Sequence, residues 1–410
     1  MIAQLVSRRT LVASPSAGVG VMGGTYYTRR EGRDVLSMYN YLSRSDTADV
    51  AYVQRSQDNG ETWDTPEAWP CKFDAPNGTG RRHPRGGYVD PATGRYFTVW
   101  TEGVLPTDHP LEGMRQWTLW YTVSNDGGIT DLVREQIIHE GDGFDPVHHL
   151  PGVTVGRNCV MMGDRGQLPL TRGDGAILLP VQVTPTGPDG DYHNPGKGLT
   201  YTDCMLLIGR WRRDGGLAWT TSSRIEGDPG RTTRGLIEPT IAELDDGRIL
   251  MIMRGSNDAC PQWPGYRWAC LSGDGGQTWS GAEPWMHDDG TPMHSPSSCS
   301  QLLKHSSGRL FWIGNRCEHN PRGNAPRYPI ILCEVDRLSG RALRGTITII
   351  DDRQSDEHER LTLSNFHARE DRETGDILLH MPRFFAHAER TGPADFTSDL
   401  FQYRIRLTGV

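Results

Sequence analysis

Glu238 and Arg254 stand near the two ends of one segment, residues 231–254. Ile241, Leu244, Ile249, Met251 and Met253 give the segment apolar faces, and Asp245-Asp246-Gly247 gives it a turn, so it reads as strand, tight turn, strand. Opposite charges at matching ends of paired strands sit side by side at one rim. A guanidinium fork grips a planar carboxylate through two hydrogen bonds. A carboxylate beside it moves a proton or orients a reacting group. The plain alternative is an exposed hairpin with a surface ion pair of little energetic weight. Recurrence of the pattern along the chain weighs against that alternative.

Six turns of this kind occur: 31–33, 92–95, 173–175, 245–248, 306–309 and 374–376. Each precedes a short apolar run, such as Tyr96-Phe-Thr-Val-Trp or Leu310-Phe-Trp-Ile. A long fixed period of this kind marks an array of supersecondary units. Units rich in short strands predict an all-β, six-bladed β-propeller of four-stranded antiparallel blades. With the turn glycine as ruler, the position of Glu238 corresponds to Arg85, Cys299 and Phe366 in other blades. Asp164 and Arg165 lie near the corresponding place in the third. His83, Arg234, Ser297, Ser298, Asn365 and His367 flank these positions, and Asn40, Glu102, Gln182, Arg254, Asn315 and Arg383 stand at the hairpin exits. Charges at equivalent inner positions are costly to bury unless they are paired or bind something.

A second repeat marks other turns. Ser56-Gln-Asp-Asn-Gly-Glu-Thr-Trp63 and Ser272-Gly-Asp-Gly-Gly-Gln-Thr-Trp279 share Ser-x-Asp-x-Gly-x-Thr-Trp, and residues 124–130 repeat it without the tryptophan. Asp accepts turn N–H bonds, Gly takes positive φ and Trp covers the hairpin, so a purely structural role is expected. This motif is the Asp-box, and through it the chain resembles the sialidase (neuraminidase) superfamily of BNR-repeat propellers over nearly its whole length. The resemblance implies that Glu238 polarises a nucleophile and that Arg254 belongs to an arginine triad binding the substrate carboxylate. Arg327, in Asn324-Ala-Pro-Arg-Tyr-Pro, is the candidate for another triad member. The family's N-terminal Arg-Ile-Pro is absent, and two catalytic features are missing. The nucleophilic Tyr of the last blade is replaced by Phe366 or His367, and Asn40 lies near the place of the acid/base Asp that follows the first hairpin.

The expected activity is a sialidase-like glycoside hydrolase acting on an acidic sugar of a glycan. Glu238, His367 and Asp164 are the catalytic candidates; Glu238 with Asp164 offers the two carboxyl groups a glycosidase needs. Arg85, His83, Arg254, Arg327, Asn365, Arg383 and Tyr201 are the candidate substrate-binding residues. A polysaccharide lyase acting at a uronic acid is an alternative, with Arg neutralising the carboxylate and His83, His367, Tyr201 or Tyr328 removing a proton. A non-catalytic glycan-binding propeller is the reading from outside enzymes.

The remaining features fit this. The 410 residues include 49 Gly, 27 Pro and 12 Trp, an all-β profile, and one closed array accounts for the whole chain. The expected blades are 18–80, 81–140, 141–230, 231–295, 296–360 and 361–410, with an N-terminal strand completing the last. A net charge of −8 argues against a nucleic-acid surface. No run reaches the roughly 18 apolar residues of a membrane span. The first ~25 residues lack a leader-like apolar core, so a cytoplasmic location is expected, or a secreted or periplasmic one if a leader precedes them. The eight cysteines show no metal-binding spacing, and no cofactor or metal is expected; the Asp/His loops at 140–152 and 185–196 are the weak alternative.

Overall fold

The computed structural model describes residues 2–387 and 396–408. Their strands form six antiparallel sheets. The first contains Gly20–Tyr27, Val35–Leu42, Val50–Ser56 and Glu67–Pro70. The second contains Lys72–Ala75, Gly78–Val89, Tyr96–Leu105, Thr118–Ser124 and Val133–Gln136. The third runs Val160–Met161, Ile177–Val183, Asp203–Trp211 and Leu217–Thr221, with Leu170–Thr171 also on Ile177–Val183. The fourth is Ile237–Glu243, Ile249–Arg254, Arg267–Ser272 and Glu283–Pro284. The fifth is Ser300–Lys304, Leu310–Asn315, Ile330–Val335 and Thr348–Asp351. The sixth is His367–Glu370, Ile377–Pro382, Leu400–Leu407 and Ala3–Val12.

These sheets are the blades of a six-bladed β-propeller. Neighbouring blades touch through their inner strands: Gly20–Tyr27 meets both Gly78–Val89 and His367–Glu370, and Ile237–Glu243 meets both Ile177–Val183 and Ser300–Lys304. Ala3–Val12 pairs with Leu400–Leu407, so the N-terminal strand closes the last blade and ties the ring. The second blade starts at Lys72, because a two-residue Pro76-Asn77 turn folds Lys72–Ala75 back onto Gly78–Val89 as an added edge strand. No helix among the described residues is long and apolar enough to cross a membrane.

Packing between blades holds the ring. Ile177, Leu179 and Val181 point one way, toward Phe97, Tyr121 and Trp219 of the second and third blades. Leu178 alternates to the other face and packs on Ile249, Met251 and Trp268 of the fourth. That period-two alternation, apolar on both faces, is what a blade buried between two neighbours requires. Phe311, Ile313, Phe366, Leu379 and Tyr403 fill the seam of the fifth and sixth blades.

All six glycine turns join an innermost strand to the next one. The Ser-x-Asp turns repeat one bonding scheme. Ser56 Oγ donates to Asp58 at 2.7 Å and accepts from Gly60 N at 2.8 Å; Ser272 does the same with Asp274 and Gly276 at 2.8 Å each. The aspartate then accepts from the following threonine, Thr62 N at 2.9 Å, Thr130 N at 3.0 Å and Thr278 N at 2.9 Å. Trp279 is half-buried and its Nε1 donates to Ser222 Oγ at 3.3 Å, linking the fourth blade to the third.

Candidate functional site

Innermost strands and the loops that enter them surround one axial cavity of about 250 Å³. Arg85, Arg234, Arg254 and Arg327 line it, together with Asp46, Glu238, His83, Asn40, Gln182, Cys299 and Asn365. Met22, Leu42, Phe384, Phe385 and Phe396 form an apolar stretch of the same wall.

A break in the fourth blade's ladder places Glu238. Ile237 pairs with Arg254 and Thr240 with Ile252, so one extra residue is accommodated between them. Pro239 has no N–H to give to the ladder, which makes this a natural place for a bulge. Glu238 takes φ +48°, outside the ordinary range of an L-residue, a strain of about 1–3 kcal/mol of the kind concentrated at functional sites. Its displaced N–H donates to Gln182 Oε1 at 3.0 Å. Gly163 makes room: a Cβ there would stand 2.8 Å from Glu238 Cγ and 2.4 Å from Gln182 Oε1.

Arg254 Nη1 donates to both Glu238 oxygens at 2.8 Å, Nε donates to Ser297 Oγ at 2.7 Å, and Nη2 reaches Asn324 Oδ1 at 3.4 Å. Burial pushes the Glu238 carboxyl up, but Arg254, Arg327 and Arg234 outweigh it and hold the group ionised, below its usual range. Asp164 goes the other way. It is 1% exposed, and burial with the charge of Glu238 raises its pKa against the lowering contacts of Cys299 and the Arg165 backbone. Environments that push two neighbouring carboxyls apart leave one as a base and the other protonated.

Arg85 comes from the second blade, with Nη2 3.5 Å from His83 Nδ1. Burial and Arg85 lower the His83 pKa well below its usual value, so the ring is neutral, and it packs on Trp117 at 5.0 Å. Burial and neighbouring guanidiniums bring Arg85, Arg234 and Arg327 down to about 10, still fully charged at neutral pH. Asn365 (φ +58°) donates its N–H to Cys299 Sγ at 3.1 Å.

The BNR repeat-like domain family matches residues 159–370, more than half of the chain. The chain belongs to that family. No curated relative matches it in sequence. Among solved structures, the BNR propeller is similar to a Dyadobacter fermentans protein of unknown function, at 15% identity over 99% of each chain (TM-score 0.62). It is similar to a Hadza microbial sialidase at 15% identity, over 98% of this chain and 68% of that one (TM-score 0.58). It is also similar to the GH93 α-L-arabinofuranosidase of Fusarium graminearum at 14% identity over 98% of each chain (TM-score 0.57). At these identities the likeness is one of fold.

Of the residues singled out in the sequence, the BNR propeller brings His83, Arg85, Glu238, Arg254, Arg327 and Asn365 to the cavity wall. Four others are elsewhere. Asp164 lies behind Glu238, next to Gly163, which does face the cavity. His367 is 2% exposed, packs on Tyr26 at 4.3 Å, and is held neutral by burial and Arg165, down to about 3. Tyr201 donates its hydroxyl to Gly227 O at 2.7 Å. Arg383 is paired with Asp351 and with Glu357, at 2.6 Å from Oε2. Asp46 is on the wall and was not singled out. It follows the first hairpin by a short loop, six residues beyond Asn40, and that position was its signal. Among the described residues no group of three or more His, Cys, Asp or Glu is placed to hold a metal ion.

Proposed function

We propose that this BNR propeller is a glycoside hydrolase acting on an acidic sugar unit held in the axial cavity. One observation carries the reading: four guanidiniums and two carboxylates converge on a single concave wall. Arg254 and Arg327 grip the anionic group of the sugar, a task for which planar forks are suited. Glu238 and Asp46 are the two carboxyl groups that face the substrate, one on each side of the scissile bond. Glu238, kept ionised by Arg254, supplies negative charge or takes a proton; Asp46, exposed on its loop, protonates the leaving oxygen. Asp164 acts through Glu238 and is a positioning residue. The cavity volume of about 250 Å³ falls just below the usual range for ligand pockets, which favours one sugar unit over an extended chain.

His83 does not favour the lyase alternative. Its Nδ1 faces Arg85, so the basic nitrogen of the neutral ring is covered by a cation. The test is turnover of aryl glycosides and oligosaccharides of sialic and uronic acids by the wild type and Asp46→Asn. Hydrolysis by the wild type, falling by roughly a hundredfold or more in the variant at unchanged melting temperature, is expected. An ultraviolet-absorbing unsaturated product, or tight binding of every acidic glycan without turnover, would replace the hydrolase reading with the lyase or the binding-protein reading.

A further inference from the structure

Among the described residues, three of the guanidiniums on the cavity wall form no ion pair with a carboxylate, although Asp258 acts on Arg234 from farther off. Arg234 Nη2 donates to Thr200 Oγ1 at 2.6 Å, Arg327 Nη2 donates to Ser297 O at 2.8 Å, and Arg85 reaches only His83. The Nε of each is buried without a hydrogen-bond partner. Among the described residues only Arg254 has an ion pair on this wall, with Glu238. Among the described residues the wall therefore carries four cations against Asp46 and Glu238, in a chain whose net charge is −8. Enclosed cations without counter-ions are costly, and a bound anion is what offsets that cost.

The unneutralised cations are in two places. Arg85 is on Gly78–Val89 of the second blade, and Arg165, fully buried and donating to Asn40 Oδ1 at 2.7 Å, adds positive charge beside it. Arg327 is on the loop entering Ile330–Val335 of the fifth blade, with Arg234 at the entrance to the fourth. Second and fifth blades face each other across a six-bladed ring.

We propose that the cavity selects a sugar unit carrying two anionic groups, one held by Arg327 with Arg234 and Arg254, the other by Arg85 on the opposite wall. A uronic acid that also bears a sulfate ester has this chemistry. The proposal rests on the acidic-sugar reading above and adds the second charge to it. Fixed, facing cations discriminate by charge separation as well as by charge, because a ligand with a single anion leaves one of the walls uncompensated.

The experiment is calorimetric titration with glucuronate and galacturonate, each against its sulfate ester, at low and moderate salt. The sulfate ester of at least one acid binds tighter by about tenfold or more, and the advantage shrinks as salt is added. Arg85→Gln loses that advantage, and Arg85→Lys recovers part of it. Equal wild-type affinity for one and two charges overturns the two-anion proposal and leaves the acidic-sugar reading standing. Absence of binding to all four probes overturns the two-anion proposal, while the acidic-sugar reading is decided by the turnover test with sialic and uronic acids. The wild-type comparison decides the matter even if an Arg85 variant fails to fold.

Discussion

Arg254 and Arg383 leave equivalent hairpins of the fourth and sixth blades. Each is about one-tenth exposed or less and each is paired with carboxylate, yet their surroundings differ in charge. Arg254 has one carboxylate, Glu238, and two further guanidiniums near it, Arg234 and Arg327. Arg383 has two carboxylates, Asp351 and Glu357; Asp351 also accepts from Tyr403 at 2.7 Å and pairs with the exposed Arg8 at 3.4 Å. The first arrangement has positive charge to spare and opens on a cavity. The second is saturated, and it ties the 351–357 segment to the end of Ile377–Pro382. Equal register fixes where an arginine emerges; the charges around it decide whether a ligand is attracted or a loop is clamped.

Removing each cation breaks the comparison most directly. Arg383→Met leaves Glu357 without its cation and Asp351 with only the exposed Arg8, and a loss of about 3–5 kcal/mol in unfolding free energy is expected from urea denaturation. Arg254→Met leaves Glu238 with Arg327 and Arg234 still close, so its stability cost is smaller than that of Arg383→Met, while affinity for acidic sugars falls. Equal stability losses for the two variants would mean that the surrounding charges do not distinguish them.

Removing the negative partner sharpens it. Glu238→Gln keeps the shape and frees Arg254, so kcat falls by roughly a hundredfold or more while KM for an acidic substrate stays level or drops. The matching change at the clamp, Glu357→Gln, leaves steady-state kinetics unchanged and lowers stability. A rise in KM for Glu238→Gln would show that the carboxylate, rather than the arginines, holds the substrate.

The ring was legible because turn chemistry is local. Each Gly turn and each Ser-x-Asp turn is specified by a few adjacent residues, so six blades could be read off in order. The glycine ruler also carried Arg85, Glu238 and Cys299 to the cavity wall. It failed by one residue in the last blade, where Phe366 turns into the seam with the fifth blade and Asn365, at positive φ, takes the cavity position. Asp46 was not legible because it is on a connecting loop, where no periodicity fixes direction. Arg383 was misleading because its partners, Asp351 and Glu357, come from another blade's outer strand and loop, which a hairpin register cannot reveal.

A tryptophan outside both arginine sites serves as the control. Trp279 bridges to Ser222 between blades and is half-buried, so Trp279→Ala should lower stability by about 2 kcal/mol, less than a fully enclosed indole would. Binding of acidic sugars by the folded variant should not change. A shift in KM at full stability would move this turn from scaffold to site.

Asp203 supplies the case that both arginines avoid: a buried carboxyl with no ion pair among the described residues. It is 4% exposed, and Gly227 N donates to its Oδ1 at 3.0 Å. Burial dominates, and its pKa is raised from 3.8 to about 6. Below about pH 4 both folded and unfolded chains carry the proton, and the group costs nothing. Between pH 4 and 6 the unfolded chain loses its proton first, so the folded state holds more protons and stability falls as pH rises. The fall totals about 3 kcal/mol and levels off above pH 6. Asp203→Asn, which cannot ionise, should remove that slope from a plot of unfolding free energy against pH, measured relative to the wild type. A variant that keeps the full slope would mean that another carboxyl carries it. A wild-type stability that rises across this window would mean that depressed carboxylates such as Glu238 outweigh Asp203, and the difference between the two proteins would still isolate its share.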